Sequence, residues 1–285
     1  MKNQSYSEKA SKLMNEMICA FIGNSERSKQ LNEQLEVTLV DLLLRLLESL
    51  ERESLREHLA FAQDVEEEKI ISHGLTESLD PQQVVVRHQD RGIELLRYDL
   101  RTLRQSVYLN DEVVNAYLAL ISTERCGVFA FSTFFFTLLS EHGYSRVRRW
   151  TCKCDLFSFR QILVPIHHHE HWMLAVIGPA TRTIHFYDSV IGEQPFAEAV
   201  LRILLSYLEQ EHQDKLSLPL TASDWHCSQR LDHPVQHSSG HCGVYICQFA
   251  RCITNPEGGR FDFSDHDMLK LRMQMLIELC RFKLK

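Results

Sequence analysis

Apolar residues recur every three to four positions over residues 31–62, in the sequence LNEQLEVTLVDLLLRLLESLERESLREHLAFA, which contains neither proline nor glycine. The leucines on this stripe are Leu35, Leu39, Leu42, Leu46 and Leu50. This period, in strong helix formers, predicts an amphipathic helix. Thr38 and Ser49 fall where a coiled-coil seam needs apolar side chains. We therefore expect a helix that packs on its own domain or on a partner rather than a long coiled coil.

Acidity is concentrated at the start of the chain. The first 80 residues hold 9 Lys+Arg and 16 Asp+Glu, which leaves 22 of each for residues 81–285. The chain's net charge of -7 therefore belongs to the first part. Residues 63–80 are polar and end before Pro81, which indicates a connector. We predict an acidic helical extension at residues 1–80 and a second domain at residues 81–285.

Beyond residue 80, helical and strand patterns alternate. Asn110, followed by Asp111, Glu112 and an apolar period, predicts a capped helix with acids in its first turn. Residues 197–213 and 268–281 show helical spacing as well. Short segments that are β-branched or aromatic and bounded by turn residues predict strands at residues 161–166, 172–177 and 183–188. Such runs predict a mixed α+β domain.

Composition excludes several classes of protein. The longest apolar run, residues 128–139, is too short to cross a bilayer, so no membrane partner is expected. An acidic chain has no excess of cations to displace phosphate counterions, so nucleic acid is not an expected partner either. The start of the sequence lacks the apolar stretch of a secretory signal. We therefore expect a monomer inside the cell, in the nucleus or the cytoplasm.

The nine cysteines do not suggest a disulfide framework or a zinc ribbon. Their number is odd, no C-x-x-C pair occurs, and a reducing compartment keeps thiols free. The histidine-rich sequence HHHEH at residues 167–171 lacks the HExxH spacing of a zinc site, and alternate residues of an extended segment point to opposite sides. We expect neither a metal nor another cofactor.

A histidine and an aspartate are predicted to meet at one edge of a hairpin. The predicted strands WMLAVIG and TIHFYDS are separated only by residues 178–182, too few for anything but an antiparallel connection. If the hairpin is centred between Pro179 and Ala180, positions that add to 359 face each other, and these include His171 and Asp188. An aspartate that orients an imidazole is half of a nucleophilic triad.

Cys242 is the candidate for the missing nucleophile. It lies between Gly240 and Gly243, directly before an apolar helical pattern, and amide groups at a helix start favour an anion. The glycines are expected to let a substrate backbone approach. Gln236 could place its amide beside the Cys242 N–H, which would give two donors for an oxyanion. The other cysteines are interpreted as structural thiols.

Together these residues resemble a known family. His171-Trp172, FYDS with Asp188, Gln236 and GHCG around Cys242 resemble the catalytic set of the ubiquitin-like-protein proteases, the sentrin/SUMO-specific cysteine proteases. Further resembling segments, in the same order along residues 80–285, are YLNDEVVNAYL, VFAFSTFFF, GYSRVRRWTCKCDLF, ILVPIH and FSDHDMLKLRMQMLIELCRFKLK. The resemblance implies an α+β fold of the papain-like or adenain-like kind, with a mixed, mainly antiparallel sheet flanked by helices and a helical N-terminal extension.

The resemblance also implies a role for each matching residue. Cys242 would be the nucleophile, His171 its general base and then acid, and Asp188 the orienting carboxylate. Gln236 would donate to the oxyanion. The two aromatic residues that would roof a tunnel for the modifier's Gly-Gly tail are Trp172 and Tyr108. The residues that would contact the modifier's globular part are Asp111, Phe134, Arg149, Trp150 and His167.

The sequence departs from the family's pattern at a few positions. His241 stands where aspartate is usual, Tyr108 where tryptophan is usual, and Ser238-Ser239 where Asn-Gly is usual. The catalytic four are unchanged, so we expect activity that is weaker or narrower than typical.

The segments GYSRVRRW and ILVPIH favour the SUMO branch of the family. The expected function is a cysteine protease that cleaves after the C-terminal Gly-Gly of SUMO, with SUMO and SUMO conjugates as partners, in deconjugation and in precursor processing. The alternatives are a protease for another ubiquitin-like modifier and a pseudo-protease that binds SUMO with little turnover.

Overall fold

The computed structural model of the chain describes residues 25–190 and 194–285. Contacts divide the chain into two compact units, Met1–Ala60 and Phe61–Lys285. The first unit contains helix α1 (Ser25–Leu59), which confirms the helix predicted there. Some features of the sequence analysis lie outside the described residues. These are Cys19, the side chain of Leu35, and the first residues of the sequence, on which the expectation about a secretory signal rests.

The second unit contains both helices and strands. Its helices are α2 (Val65–Leu75), α3 (Arg97–Leu100), α4 (Asp111–Glu124), α5 (Phe134–His142), α6 (Tyr144–Val147), α7 (Gln194–Leu216), α8 (Cys242–Ile253) and α9 (Met268–Arg281). Its strands are β1 (Val84–His88), β2 (Ile93–Leu96), β3 (Val128–Ala130), β4 (Gln161–His168), β5 (His171–Gly178), β6 (Thr183–Tyr187) and β7 (His226–Gln229). No helix in the described part of the chain is both long and apolar enough to span a membrane.

Strands β3 to β7 form one sheet in the order β3-β4-β5-β6-β7. The inner pairs β4–β5 and β5–β6 are antiparallel, and the outer pairs β3–β4 and β6–β7 are parallel. Met173, Ala175 and Ile177 of β5 belong to the core cluster that includes residues from α5 and α7. Because side chains alternate along a strand, the other face of β5 is left for α8, which contacts this strand. The structure confirms an α+β fold with a mixed sheet flanked by helices.

The hairpin turns set the position of β5. His169 and Glu170 form a two-residue turn with φ of 47° and 58°, so His168 pairs with His171. Such a turn needs positive φ at both central residues and matches the twist of the strands.

The predicted register between β5 and β6 is wrong. Gly178 pairs with Thr183, so facing positions add to 361 rather than 359. The turn holds residues 179–182, and Arg182, with a φ of 53°, donates its N–H to the Pro179 carbonyl at 3.2 Å. Asp188 therefore follows the last paired residue of β6 instead of facing His171 within the ladder.

Residues 61–80 pack within the second unit. Asp64 caps α2 by accepting the Glu67 N–H at 2.8 Å, and three glutamates in the first turn suit the positive end of the helix. Ile71 and Leu75 are buried, at 0% and 1% exposure. The contacts thus group residues 61–80 with the second unit, although the sequence predicts a domain boundary after residue 80.

Ile71 is therefore expected to behave as a core residue. Ile71→Ala should lower the free energy of unfolding by about 2 to 5 kcal/mol, because it removes buried methyl groups and leaves a cavity. Tryptophan fluorescence in urea measures this change in the second unit, since Trp150, Trp172 and Trp225 all lie there. The control is Val65→Ala on the same helix, where the side chain is 66% exposed and the expected change is within about 0.5 kcal/mol. Equal effects of the two substitutions would contradict the packing of α2.

Candidate active site

Cys242 is the first residue of α8, and its side chain is buried at 1% exposure. The N–H groups of a helix's first turn have no partners within the helix, and they carry its positive partial charge. The sulfur therefore lies where the backbone favours a thiolate.

The glycines on either side of Cys242 make room for the chain itself. Gly240 has a φ of 82°, and a Cβ there would lie 2.6 Å from the Ser106 carbonyl oxygen. A Cβ on Gly243 would lie 2.8 Å from the Leu109 Cβ. From the sequence, these glycines are expected to let a substrate backbone approach. In the structure, residues 106–109 of the chain itself pack against them.

His171 begins β5, and Asp188 follows β6 at the same edge of the sheet. The His171 Nε2–H donates to Asp188 Oδ1 at 2.6 Å, and Asp188 is 7% exposed. Oδ1 also accepts the Val190 N–H at 2.9 Å, which holds the carboxylate in place. With Nε2 engaged, the ring's Nδ1 is left for its hydrogen bond with Cys242. The wrong register therefore did not prevent the predicted pairing of histidine and aspartate.

The imidazole is held in its charged form. Burial disfavours the imidazolium and lowers the pKa of His171, but hydrogen bonds with Asp188 and with Cys242 outweigh burial and raise this pKa to about 9. A histidine that stays protonated beside a cysteine favours a thiolate–imidazolium pair. The arrangement of Cys242, His171 and Asp188 can therefore supply a nucleophile and a proton donor at neutral pH.

Gln236 is tied to the residue after Asp188. Its backbone N–H donates to the Ser189 carbonyl at 2.7 Å, and its Oε1 accepts from Ser189 Oγ at 3.0 Å. Its Nε2 donates to the Ser238 carbonyl at 2.6 Å, and an amide nitrogen carries a second hydrogen. The role of Gln236 as a donor to an oxyanion stays a prediction.

One group of the predicted substrate residues lies around Trp172. The Trp172 indole N–H donates to the Leu109 carbonyl at 2.9 Å, and the ring is 4.4 Å from that of His167. Burial lowers the pKa of His167, and the charge of Asp111 opposes this effect. Tyr108, next to Leu109 in the chain, is 51% exposed. This group combines an exposed phenol, a buried indole and a half-buried carboxylate.

The second group lies at the start of α5 and after α6. Phe134 is 54% exposed and Trp150 is 37% exposed. The Trp150 ring lies 5.7 Å from that of Phe135, a neighbour of Phe134, and Arg149 is exposed beside it. Exposed aromatic and arginine side chains are typical anchors of protein interfaces. The binding roles predicted for both groups of residues stay predictions.

Sequence reasoning missed two residues that support the site. Ser189 holds Gln236, and Arg272 of α9 donates to the Gly240 carbonyl just before the nucleophile. A signal for Arg272 was available, because its charge interrupts the apolar spacing of residues 268–281, but its partners are distant in sequence.

Comparisons with known proteins agree with this geometry. The profile described as "Ulp1 protease family, C-terminal catalytic domain" matches residues 107–282, more than half of the chain. The chain belongs to the Ulp1 protease family. A sentrin-specific protease of Caenorhabditis elegans is 37% identical over 199 residues, 68% of this chain and 28% of that protein. Sentrin-specific protease 2 of Mus musculus is 33% identical over 195 residues, 66% of this chain and 32% of that protein. The matched region thus spans less than a third of either relative.

Solved structures share the fold of this member of the Ulp1 protease family. The C-terminal Ulp1 protease domain, solved in complex with SMT3, the yeast ortholog of SUMO, has a TM-score of 0.69 and 24% identity and covers 79% of this chain and 97% of its own. The catalytic domain of the Chaetomium thermophilum Ulp1-like SUMO protease has a TM-score of 0.62 and 21% identity, with coverage of 78% and 91%.

The charge of His171 can be tested directly. In this Ulp1-family chain, the His171 ring should titrate with a midpoint near 9 by NMR of labelled histidine, assigned by loss of its signal in His171→Gln. Asp188→Asn should lower the midpoint by about one unit or more, because the carboxylate that favours the imidazolium is gone. Asp90→Asn, an exposed control, should leave it in place. A His171 midpoint that is unchanged in Asp188→Asn would contradict the hydrogen bond between His171 and Asp188.

Proposed function

We propose that this chain is a cysteine protease that cleaves after the C-terminal Gly-Gly of SUMO, releasing SUMO from lysine side chains and trimming its precursor. The observation that carries the proposal is that His171 is hydrogen-bonded to both Asp188 and Cys242, and that Cys242 is the first residue of a helix. The proposed partners are SUMO and SUMO conjugates. The monomeric state, a location in the nucleus or cytoplasm, and the catalytic domain at residues 81–285 stay predictions.

In the first step, the Cys242 thiolate attacks the carbonyl carbon of the terminal glycine. The carbonyl oxygen becomes an oxyanion, for which the Cys242 N–H and the Gln236 amide are the proposed donors. Because the pKa of His171 is raised to about 9, the ring still holds a proton at neutral pH. It gives that proton to the lysine amine as the amide bond breaks, which leaves a thioester on Cys242.

In the second step, His171 is neutral and can accept a proton. It takes one from a water molecule, whose oxygen attacks the thioester carbonyl and breaks the C–S bond, and SUMO leaves as a carboxylic acid that loses its proton to solvent. The Cys242 thiolate forms again, and the imidazolium is restored by the proton from water. Asp188 holds the ring in one orientation through both steps.

The names of the relatives support SUMO as the modifier. Both similar proteins are described as sentrin-specific proteases, and the solved Ulp1 domain is bound to the yeast ortholog of SUMO. Tyr108 and Trp172 are the proposed contacts for the Gly-Gly tail. The proposed contacts for the globular part of SUMO are Asp111, Phe134, Arg149, Trp150 and His167.

The proposed nucleophile can be tested with a fusion of SUMO to a reporter through its Gly-Gly tail. Cys242→Ala should slow cleavage about a thousandfold or more, because it removes the thiol that forms the thioester, while binding of SUMO persists. Cys152→Ala, an exposed thiol in the same chain, should cleave like the unmodified protein. Cleavage that survives Cys242→Ala would reject the proposal.

Specificity can be tested with modifiers that carry an electrophile at the C-terminus. SUMO, ubiquitin and other ubiquitin-like modifiers are each mixed with the chain, and the covalent adduct with Cys242 is measured. We expect an adduct with SUMO. An adduct with another modifier but not with SUMO would indicate a protease for that modifier. Tight SUMO binding without an adduct or turnover would indicate a pseudo-protease.

The exposed phenol at position 108 should affect binding of the tail. Tyr108→Trp enlarges the aromatic surface available to the Gly-Gly segment, so we expect a KM for the SUMO fusion that is lower by about two- to fivefold, with kcat little changed. Tyr98→Trp is the matched control, because Tyr98 is 59% exposed in α3 and has no proposed role. The proposed tail contact fails if both substitutions change KM equally.

A further inference from the structure

A buried guanidinium lies beneath the start of the nucleophile's helix. Arg272 of α9 is 0% exposed, and it donates to the carbonyls of Thr102 at 3.0 Å and Arg104 at 2.9 Å. It also donates to the Gly240 carbonyl and lies 3.2 Å from His241 Nδ1. Arg272 is therefore attached to both residues that immediately precede Cys242.

All of these acceptors are uncharged. Within residues 25–190 and 194–285, no Asp or Glu oxygen forms an ion pair with Arg272, and its Nε–H finds no acceptor. By contrast, Arg251 in the last turn of α8 forms an ion pair with Glu278 of α9 at 2.6 Å. A buried cation is normally compensated by an anion, since burial without one is costly.

His241 does not supply a charge of either sign. A guanidinium can only donate, so the Nδ1 that faces Arg272 must carry a lone pair, and the ring's proton lies on Nε2. Burial and the charge of Arg272 both lower the pKa of His241, against the opposing effect of Asp265. His241 is therefore neutral at neutral pH, and it accepts a hydrogen bond from Arg272 without balancing its charge.

Cys242 directly follows His241, and its thiol becomes an anion when it ionises. Burial lowers the pKa of Arg272 to about 10, while the negative charge of Cys242 acts to raise it. An attraction between two charges is mutual, so the guanidinium must favour the thiolate by the same interaction free energy.

We propose that the buried guanidinium of Arg272 is a fixed positive charge that favours the thiolate form of Cys242, and that His241 leaves this charge uncompensated. The inference rests on the proposed function in assigning Cys242 as the nucleophile. Arg272 touches neither substrate nor reacting atoms and is a positioning residue. An aspartate at position 241 would face the guanidinium with a negative charge, whereas histidine keeps the hydrogen bond and adds none.

Other charged groups act on Cys242 or on its neighbour His241 and must be kept constant. His171 lies on β5 with Asp188 behind it. Asp265, in the turn before α9, accepts the Tyr245 hydroxyl at 2.6 Å and the N–H groups of His237 and Ser238. A substitution at position 241 alters none of these residues, so it changes the local charge with the other partners in place.

The test compares His241→Asp with His241→Asn in the full chain. The asparagine oxygen can accept from Arg272 as the imidazole does, and the two variants differ mainly by one negative charge. Thiolate formation is followed by ultraviolet absorbance against pH, as the difference from the same chain with Cys242→Ser. We expect His241→Asn to titrate like the unmodified chain and His241→Asp to titrate about one pH unit higher. Coinciding titrations of the two variants would overturn the inference.

Substitutions of Arg272 test the source of the positive charge. Arg272→Met should raise the midpoint of thiolate formation by about one pH unit, and Arg272→Lys, which keeps a cation, should raise it less. A purely structural arginine would change the urea midpoint of unfolding but leave the thiolate titration in place, which would overturn the inference. If Arg272→Met does not fold, the comparison of His241→Asp with His241→Asn is the deciding test. The aspartate carboxylate shows whether a charge at position 241 changes the midpoint of thiolate formation.

The titration separates this inference from the proposed function. Thiolate formation is measured without SUMO, so a shifted midpoint in a chain that cleaves no modifier would support the role of Arg272 and reject the function. If the chain cleaves SUMO but substitutions at positions 241 and 272 leave the midpoint of thiolate formation unchanged, the function is supported and the role of Arg272 is rejected.

Discussion

The close approach of the start of α8 to residues 106–109 is the constraint on which the site depends. Gly240 and Gly243 face the Ser106 carbonyl and the Leu109 side chain at distances that no Cβ would allow. The Leu109 carbonyl in turn accepts the indole N–H of Trp172 on β5. One short segment therefore holds the helix that carries Cys242 and the strand that begins with His171, and a larger residue at either glycine would separate the two halves of the site.

The two carboxylates that act on His171 and His241 already have their own donors. Asp188 accepts from His171 and from the Val190 N–H, and Asp265 accepts from the Tyr245 hydroxyl and two backbone amides. Neither is free to neutralise Arg272, although Asp265 acts on His241 from a distance. The Cys242 sulfur therefore lies at the positive end of α8, with the His171 imidazolium bonded to it and the Arg272 guanidinium bonded to the two residues before it. This excess of positive charge is what a buried anion needs in order to form in an apolar setting.

Local patterns predicted the elements of the fold better than their arrangement. The helix at residues 268–281 was predicted with the bounds that the structure has, because its apolar spacing continues to its end. The register of β5 and β6 was wrong, because the turn depends on a left-handed backbone at Arg182, a residue that gives no signal for it. Similarly, α2 looked like a polar connector, since only two of its apolar residues are fully buried, and they are buried against elements distant in sequence.

The candidate site was predicted where its residues carry recognisable chemistry and missed where they act through the backbone. Cys242, His171 and Asp188 come together as expected, whereas Arg272 binds carbonyls of residues 102, 104 and 240, and no local pattern brings these together. Two of the departures from the family pattern, at positions 108 and 241, also differ in kind. Tyr108 is exposed, and its proposed role is in binding the tail, whereas His241 is buried beside Arg272, and its proposed role is in the charge balance of the nucleophile. A pseudo-protease that had merely lost its constraints would not be expected to keep position 241 buried and hydrogen-bonded to Arg272. The histidine is better explained as a different charge balance for the same nucleophile than as the loss of one.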